Sequence, residues 1–253
     1  MPLPTFPVLW IANLRRINEG ASHLLALLSP AEKARRLRFR HAADQQRFMV
    51  GRALTRLAIA SQLSCAAQEI SIVITTSGKP KLDPNPASLA FSIAHSGDLV
   101  VLALVAEGTV GVDVEQVTSE VAPDLMMPMV CSRLESDGVK SLPSHRQQVK
   151  RLLSLWTLKE AYLKATGTGL ATDPREVVFG FDAQGQPALL GPPRGELCCQ
   201  FTDRWGFIVM PDYGEYVLAL AVHHRSGHVV SSLSPVWGDA DTLFASARGH
   251  QEG

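Results

Sequence analysis

The stretch from Phe91 to Glu115, FSIAHSGDLVVLALVAEGTVGVDVE, contains two apolar runs followed by polar residues, and it predicts neighbouring strands of a sheet. In its last five residues, valines alternate with Asp113 and Glu115. Because successive side chains on a strand point to opposite faces, the two carboxylates share one face while the valines face the core. Carboxylates this close repel each other unless a cation lies between them, so the pattern indicates either a metal site or a solvent-exposed edge strand.

The charge of the chain is unevenly distributed. The sequence has 253 residues, is 46% hydrophobic and carries a formal net charge of zero. Residues 1 to 60 nevertheless hold ten of the 24 Lys and Arg residues and three of the 24 acidic residues, so a basic N-terminal segment precedes an acidic body. A nucleic-acid partner is disfavoured, because the whole chain is neutral and aromatic residues are not interleaved with the arginines.

The sequence shows no signal for export or for a membrane. The four cysteines have neither CxxC spacing nor a histidine partner pattern, which indicates no zinc site and no disulfide framework. The N-terminus has no charged leader before an apolar segment, and the longest apolar run is far shorter than the ~20 residues that cross a bilayer. We therefore expect a folded cytoplasmic protein without membrane insertion.

Helix and strand signals alternate along the chain. Ser29-Pro30-Ala31-Glu32 is typical of a capped helix start, and apolar residues at helical spacing predict long helices at 44–63 and 146–166. The loss of periodicity around Pro123 predicts a junction between domains 1–117 and 118–253, with a tail from about 226 that is exposed or partly disordered. The strands are predicted at 7–12, 69–75, 91–94, 99–106 and 111–115.

The two halves of the chain resemble each other. EISIVITTSGKPKL at 69–82 lies over EVVFGFDAQGQPAL at 176–189 at a shift of 107 residues without a gap, and we align the long helices at the same shift. After an extra loop, the apolar run at 101–104 matches 217–220. A chance match of common turn residues explains this less well than a duplication, because helix, strand and turn agree in order and in spacing. We predict an α/β (α+β) fold of two similar α/β subdomains related by a pseudo-twofold axis, with a ligand site at their interface.

The differences between the two copies indicate where the chemistry lies. Under the 107-residue shift, Glu160 replaces Ala53 and Lys159 replaces Arg52, and the acidic strand has no acidic counterpart after Ala221. The sequence therefore predicts a single, asymmetric site.

One face of the second long helix carries Trp156, Glu160 and Lys164, which are four residues apart. A Glu–Lys pair at this spacing is usually a surface ion pair worth a few tenths of a kcal/mol. Together with Asp113 and Glu115, however, Glu160 would complete three carboxylates able to hold Mg²⁺, and Lys164 would face the same anionic ligand.

These motifs resemble those of the 4'-phosphopantetheinyl transferases. GVDVE at 111–115 followed by LWTLKEAYLK at 155–164 is similar to the paired signature (V/I)G(I/V)D and W-(S/T/C)-x-K-E-(A/S)-x-x-K. FSIAHSG at 91–97 resembles the F-N-(I/V)-S-H-S-G element, with Ala94 where serine is common, and RFRHAADQQR matches R-F-x-H-x-x-D-x-x-R. Together with the GKP turn at 78–80, the length and the duplicated halves resemble the Sfp-like (surfactin-type), pseudodimeric subfamily.

The resemblance implies an enzyme of the holo-[acyl-carrier-protein] synthase type. Such an enzyme transfers the 4'-phosphopantetheine arm of coenzyme A to a serine of an apo acyl or peptidyl carrier protein, with Mg²⁺ (or Mn²⁺), and releases 3',5'-ADP. It implies a monomer whose carrier partner presents an acidic helix, for which the loose stretch 116–150 and the basic N-terminal half offer a docking surface.

The resemblance also implies residue roles. Asp113, Glu115 and Glu160 are the expected metal ligands, and Glu160 accepts the serine proton either directly or through a metal-bound water. Lys164 and His95 are expected to assist catalysis at the pyrophosphate. The expected contacts to coenzyme A are Arg47, Lys79, His95, Ser96, Lys159, Lys164 and one or more of Lys33, Arg35 and Arg36.

Two other classes of function use the same residues. A Mg²⁺-dependent nucleotide or phosphoester hydrolase would need the same acids and bases, and it would consume coenzyme A without a carrier protein. A non-catalytic module that binds carrier proteins would keep the fold and lose the metal ligands, so the intact Asp113, Glu115, Glu160 and Lys164 argue against it.

Overall fold

A computed structural model describes residues 7–17, 22–76, 78–191, 204–224 and 235–249. Helices and strands alternate within them, and no helix in this part of the chain has both the length and the apolar character needed to cross a membrane. The helices are α1 (Ser22–Ala26), α2 (Pro30–Arg36), α3 (Ala42–Leu63), α4 (Pro123–Val130), α5 (Arg133–Lys140), α6 (His145–Thr166) and α7 (Ala240–Gly249). The strands are β1 (Val8–Asn13), β2 (Ile72–Ile74), β3 (Pro80–Leu82), β4 (Leu89–Ser96), β5 (Leu99–Ala106), β6 (Gly108–Gln116), β7 (Val178–Phe181), β8 (Pro187–Gly191), β9 (Trp205–Tyr213), β10 (Tyr216–His224) and β11 (Val236–Gly238).

The chain divides into two compact units at a different place from the predicted junction. The first unit is Met1–Ala106 together with Pro235–Gly253, and the second is Glu107–Ser234. The strand β6 belongs to the second unit because it pairs along its whole length with β10 and packs against α6. The sequence also predicted a loose tail from about residue 226, which is wrong from Pro235 onward, because β11 pairs with β1 and α7 joins the core of the first unit. Residues 225–234 lie outside the described residues.

The first unit packs the long helix α3 against a mostly antiparallel sheet. The strand order is β11-β1-β5-β4, in which β11 runs parallel to β1. Leu54 and Ala58 of α3 are fully buried in one cluster with Val100 and Leu102 of β5. Such burial of apolar area supplies most of the driving force for folding. A short hairpin, β2-β3, completes the unit.

The second unit has the same plan. Its antiparallel sheet has the order β6-β10-β9, the long helix α6 packs on one face, and β7-β8 forms a separate hairpin. Leu152, Leu158 and Ala161 of α6 are fully buried with Ala219 and Ala221 of β10. The helix ends where the sequence predicts, at Gly167 in the left-handed conformation with φ of 78°.

The two units repeat one topology, as the sequence predicts. In the first unit, β5 pairs with β1 on one side and β4 on the other, and in the second unit β10 pairs with β6 and β9 in the same way. A 22-residue helix precedes a small hairpin in each unit. Gly78 and Gly185, which match under the 107-residue shift, both turn their hairpins with positive φ, 83° and 79°. The helices themselves, Ala42–Leu63 and His145–Thr166, are about one turn out of register with that shift. Lys159 is therefore equivalent to Arg56 rather than to Arg52.

A buried ion pair recurs in the two units and supports this register. Arg56 Nη2 lies 2.8 Å from Glu32 Oε2 in the first unit, and Lys159 Nζ lies 2.7 Å from Glu135 Oε2 in the second. Glu32 and Glu135 occupy the same place, because each closes the capping box of a short helix whose N-cap is a serine. The duplication thus extends to buried charges.

The same two cations also bind equivalent backbone carbonyls. Arg56 Nη1 donates to the carbonyl of Ala67 at 3.4 Å, and Lys159 Nζ donates to the carbonyl of Pro174 at 3.0 Å. Ala67 and Pro174 are the first residues of equivalent 3₁₀ turns that precede the hairpins. Each buried cation therefore ties the long helix to the start of its hairpin.

Gly111 sets how closely β6 approaches α6. A Cβ atom at Gly111 would lie 1.8 Å from the carbonyl oxygen of Ala161. We expect Gly111→Ala to lower the free energy of unfolding by about 1–3 kcal/mol or more, because strand and helix must separate. Gly138→Ala in α5 is the matched control, since nothing lies within 4 Å of its Cβ position, and should leave stability unchanged or raise it by up to about 1 kcal/mol. Equal stability of both variants in urea unfolding would contradict this close packing.

Candidate active site

Two acidic side chains of β6 meet three side chains of α6 within the second unit. Asp113 and Glu115 project from one strand face, as the alternation predicts, but this face contacts α6, whereas the sequence predicted that the valines would face the core. Trp156, Glu160 and Lys164 follow one another on successive turns of the helix. The sequence predicted that the two halves of the molecule would each contribute part of this cluster. That expectation is corrected, because β6 and α6 belong to the same unit.

The contacts in this cluster are specific. Lys164 Nζ lies 2.6 Å from Asp113 Oδ1 and 3.3 Å from the carbonyl of Val112. The indole Nε1 of Trp156 donates to Glu115 Oε1 at 3.0 Å. Asp113 is only 6% exposed, so this face of β6 is not the solvated edge that the alternation alone allowed. Lys164 accordingly forms a partly buried ion pair across to the strand.

The crowding of carboxylates shifts their proton affinity. Burial raises the pKa of Asp113 to about 7, with Glu115 and Glu160 adding to the rise and Lys164 opposing it. Burial also raises the pKa of Glu160, again with Lys164 opposing and Glu115 adding. The ionised forms of Asp113 and Glu160 are therefore destabilised, and a bound cation would stabilise them. A carboxylate with a raised pKa is also better suited to accept a proton near neutral pH.

The donor set suits a hard divalent cation, although it is not assembled as a coordination shell. Asp113 Oδ2 is buried and has no hydrogen-bond partner among the described residues, so it is available as a ligand. Carboxylate oxygens are the ligands that Mg²⁺ prefers. However, no three His, Cys, Asp or Glu side chains converge as a metal site in the part of the chain that the structure describes. Binding of a cation by Asp113, Glu115 and Glu160 stays a prediction.

The first unit has apolar residues where the second has its three carboxylates. The strand of the first unit that is equivalent to β6 is β1. Its residues Trp10 and Ala12 face α3 and occupy the positions that Asp113 and Glu115 occupy in β6. The register fixed by the two buried ion pairs places Leu57 at the position of Glu160. The acid cluster is therefore found in one of the two copies, as the sequence predicts. The sequence compared the acidic strand with the segment after Ala221, whereas the structure shows that its equivalent is β1.

Several of the predicted coenzyme A contacts lie together in the first unit. Arg47 Nε donates to the carbonyl of Gly97 at 2.8 Å, and its Nη1 lies 2.7 Å from Asp44 Oδ1. These bonds place Arg47 at the turn of the β4-β5 hairpin, where β4 ends with His95 and Ser96. The structure thus brings together the two motifs that carry these residues.

The other predicted contacts of the first unit lie on separate elements. Lys33, Arg35 and Arg36 are on α2, where Arg35 is exposed and the other two are partly buried. Lys79 lies in the β2-β3 hairpin, and burial lowers its pKa. Their contacts with a ligand stay predictions.

Lys159 does not fit the role that the resemblance implied. Its side chain is 0% exposed, and its amino group already has three acceptors in Glu135 Oε2 and the carbonyls of Val130 and Pro174. Burial lowers its pKa, with Glu135 opposing that change. As the equivalent of Arg56, Lys159 has a structural role, and we remove it from the expected coenzyme A contacts.

Trp156 is the site residue that the expected roles omitted. The signal was present in the sequence, since Trp156 shares a helix face with Glu160 and Lys164. Its indole N–H orients Glu115, and an aromatic ring that also packs against the core holds its polar atom in a fixed place.

Two family models match the chain in succession. Residues 16–107 match the model described as 4'-phosphopantetheinyl transferase, N-terminal, and residues 109–221 match the 4'-phosphopantetheinyl transferase superfamily. The break between the two matches coincides with the boundary between the units at Ala106 and Glu107.

Curated proteins with the same description are similar over most of the chain. The chain is 31% identical to the 4'-phosphopantetheinyl transferase HetI of Nostoc over 165 residues, which cover 64% of this chain and 69% of that protein. It is 31% identical to the 4'-phosphopantetheinyl transferase psf-1 of Bacillus pumilus over 177 residues, which cover 69% of this chain and 73% of that protein. A 36% identical protein of Synechocystis aligns over 60% of this chain and 62% of its own length.

Among solved structures, the chain is similar to a holo-(acyl-carrier-protein) synthase from Bacillus anthracis in complex with CoA (3',5'-ADP). The match has a TM-score of 0.39 and 22% sequence identity, and it covers 47% of this chain and 96% of that one.

Proposed function

Because the chain belongs to the 4'-phosphopantetheinyl transferase superfamily, we propose that it transfers the 4'-phosphopantetheine arm of coenzyme A to a serine of an apo acyl or peptidyl carrier protein. The observation that carries the proposal is the cluster of Asp113, Glu115, Trp156, Glu160 and Lys164 in the second unit. It combines the cation of Lys164, the carboxylate of Glu115 oriented by Trp156, and the carboxylate of Glu160 with its raised pKa. Phosphoryl transfer to a hydroxyl needs positive charge at the phosphates and a base for the proton. A cytoplasmic location stays a prediction from the sequence.

The reaction assigns a step to each of these side chains. The serine oxygen attacks the β-phosphorus of coenzyme A, the bond from that phosphorus to the bridging oxygen breaks, and 3',5'-ADP leaves. Glu160, which is partly exposed, accepts the serine proton. Lys164 places its positive charge beside the pyrophosphate oxygens, and Trp156 holds Glu115 in its orientation.

The three carboxylates are the proposed ligands of a divalent cation. Mg²⁺ held by Asp113, Glu115 and Glu160 would neutralise charge on the pyrophosphate during transfer. The buried, unpartnered Asp113 Oδ2 supports this assignment among the described residues. Because Lys164 pairs with Asp113 Oδ1, we expect Lys164 to change partner toward the substrate phosphates when the cation binds.

The basic residues of the first unit are the proposed contacts to coenzyme A. Arg47, His95 and Ser96, which lie around one hairpin turn, supply positive charge and hydrogen-bond donors that suit phosphate groups. Lys79, Lys33 and Arg35 are assigned by the resemblance alone.

The carrier protein is proposed to dock on the stretch 116–150. The sequence predicted a loose segment here, but the structure folds Pro123–Val130 into α4 and Arg133–Lys140 into α5, and α6 begins at His145. These helices expose Leu125, Met129 and Leu134, which are 76%, 72% and 63% exposed. Their buried residues Met127, Val130 and Val139 belong to the same core cluster against which Trp156 packs, so these helices and the acid cluster belong to one unit. Leu125 and Met129 lie one helical turn apart on α4 and so share a face, and contiguous exposed apolar surface marks interaction sites.

Transfer is tested by incubating the protein with coenzyme A, Mg²⁺ and a panel of apo acyl and peptidyl carriers. We expect the intact mass of at least one carrier to rise by one phosphopantetheinyl group. No increase on any carrier, under conditions where a control transferase modifies all of them, would contradict the proposal.

A further inference from the structure

A small cavity of about 250 Å³ in the second unit is separate from the acid cluster. It lies between the first half of α6, the hairpin β7-β8 and β9, and none of the described residues that line it belongs to that cluster. Two cations, Lys150 and Arg151, face an apolar wall made of Leu142, Phe181, Val209 and Pro211. Because the volume is slightly below the usual range for drug-sized ligands, the cavity suits a ligand of about the size of one ring.

Arg151 is held in place by stacking on an aromatic ring. Its guanidinium carbon lies 3.9 Å from the ring centroid of Phe181, which orients the plane of the guanidinium. The side chain is partly buried, and it forms no ion pair with any residue that the structure describes. Burial lowers the pKa of Arg151, and no described carboxylate opposes this change. An anion in the cavity would supply the acceptor that a guanidinium can bind through two N–H groups.

The charges around the cavity leave one positive charge in excess. Lys150 forms an ion pair with Asp212, a carboxylate of β9 whose side chain is 70% exposed. The charge of Arg151 has no such counterpart among the described residues that line the cavity. Gln147 adds a neutral donor, because its amide oxygen accepts from the hydroxyl of Ser144 while its amide nitrogen can still donate. This balance fits a ligand with a single negative charge, such as a carboxylate.

A cavity lies at the equivalent place in the first unit. Leu142 lines the cavity of the second unit, and Phe39 lines that of the first. These two residues are equivalent, because the carbonyl of each accepts at 3.0 Å from a glutamine amide in the first turns of the long helix, Gln148 and Gln45. This is also the register of the two buried ion pairs. The space between long helix and hairpin is thus a feature of the duplicated fold.

An arginine and an aromatic ring meet in both cavities, but the ring comes from different elements. In the first unit the ring is Phe48 of α3, and the guanidinium carbons of Arg35 and Arg52 lie 5.8 Å and 5.4 Å from its centroid. In the second unit Arg151 of α6 occupies the position of Phe48, and the ring, Phe181, comes from β7. The same pair of groups therefore recurs although the residues at each position differ.

We propose that the cavity of the second unit binds a small organic carboxylate. The carboxylate pairs with the guanidinium of Arg151, and the organic part packs against Leu142, Val209 and Pro211. A single ring that carries one carboxylate matches both the volume and the excess charge of the cavity. The site takes no part in the transfer reaction, so the proposal is independent of the proposed function.

Binding of para-fluorobenzoate to the full chain, followed by the broadening of its fluorine NMR signal, tests the site. The amide para-fluorobenzamide has nearly the same shape without the charge, and we expect it to bind about tenfold more weakly. Arg151→Gln should weaken binding of the benzoate by about tenfold and leave binding of the benzamide almost unchanged. Arg133→Gln is the matched control, because the side chain of Arg133 is 97% exposed on α5 and does not line the cavity.

Asp212→Asn tests the charge balance in the opposite direction. Removing this exposed carboxylate leaves Lys150 without its partner and raises the excess charge of the cavity from one to two. We expect the variant to bind para-fluorobenzoate about two- to fivefold more tightly, with no change for the benzamide. A folding defect would not produce such a gain.

The titrations are repeated with coenzyme A in excess, which separates this cavity from any coenzyme A site. Unchanged binding of para-fluorobenzoate under these conditions supports the proposal. Displacement of the benzoate by coenzyme A, equal binding of benzoate and benzamide, or equal binding by the wild-type protein and Arg151→Gln would overturn it. A protein that binds the benzoate through Arg151 but modifies no carrier supports the cavity and contradicts the transferase.

Discussion

Replacing Glu160 with glutamine is expected to lower kcat for transfer by about a thousandfold or more. Glutamine keeps the size of the side chain but can neither accept the serine proton nor offer a charged oxygen to a cation, and general base catalysis alone contributes about 10²–10⁴ in rate. Glu160 is partly exposed on α6, so the fold should be retained. The rate is measured with a carrier that the wild-type protein modifies, and the thermal unfolding midpoint is measured in parallel.

Glu176→Gln is the matched control for this variant. Glu176 is an exposed acid of the same unit that lies outside both the cluster and the stretch 116–150, and its replacement should leave kcat unchanged. A near-wild-type rate for Glu160→Gln would remove Glu160 from both the base and the metal roles. A rise in the KM for coenzyme A with unchanged kcat would assign it to substrate binding instead.

Replacing Lys159 with methionine is expected to lower the free energy of unfolding by about 3–5 kcal/mol. Methionine fills the space of the lysine stem but leaves Glu135, which is 1% exposed, as a buried carboxylate without its cation. The carbonyls of Val130 and Pro174 lose a donor in the same step. Urea unfolding measures the change.

The double variant Lys159→Met/Glu135→Leu separates the buried charge from the packing. Replacing both partners of a buried pair with apolar residues is often close to neutral, so the double variant should recover a substantial part of the lost stability. Full recovery is not expected, because Glu135 also accepts from the backbone of Ser132 and Phe179. A Lys159→Met protein of wild-type stability with a raised KM for coenzyme A would restore Lys159 as a ligand contact and contradict the structural role.

Local signals in the sequence were sufficient for the elements that carry the site. The alternation around Asp113 predicted a strand, the four-residue spacing of Trp156, Glu160 and Lys164 predicted one helix face, and Gly167 predicted the helix end. These features depend on neighbours within a few residues, so a single sequence can express them. The duplication was visible for the same reason, since its turn glycines and apolar runs recur in order.

The features that the sequence did not predict depend on contacts between distant segments. The strand β6 joins the second unit because it pairs with β10, about a hundred residues later, and nothing in residues 108–116 identifies that partner. The two long helices match at a shift that is about one helical turn shorter than the 107-residue shift of the hairpins. Applying the hairpin shift to the helices therefore wrongly aligned Lys159 with Arg52. The bounds of the two helices give the register, and the partners of Arg56 and Lys159, two carboxylates in equivalent capping boxes, support it.

The release of 3',5'-ADP from coenzyme A, measured with and without an apo carrier, tests the central claim most directly. If the acid cluster of the second unit catalyses transfer, 3',5'-ADP should appear only when an apo carrier is present, in amounts equal to the carrier that gains a phosphopantetheinyl group. Glu160→Gln should abolish both signals together. Release of 3',5'-ADP at the same rate without a carrier would identify a hydrolase and contradict the account.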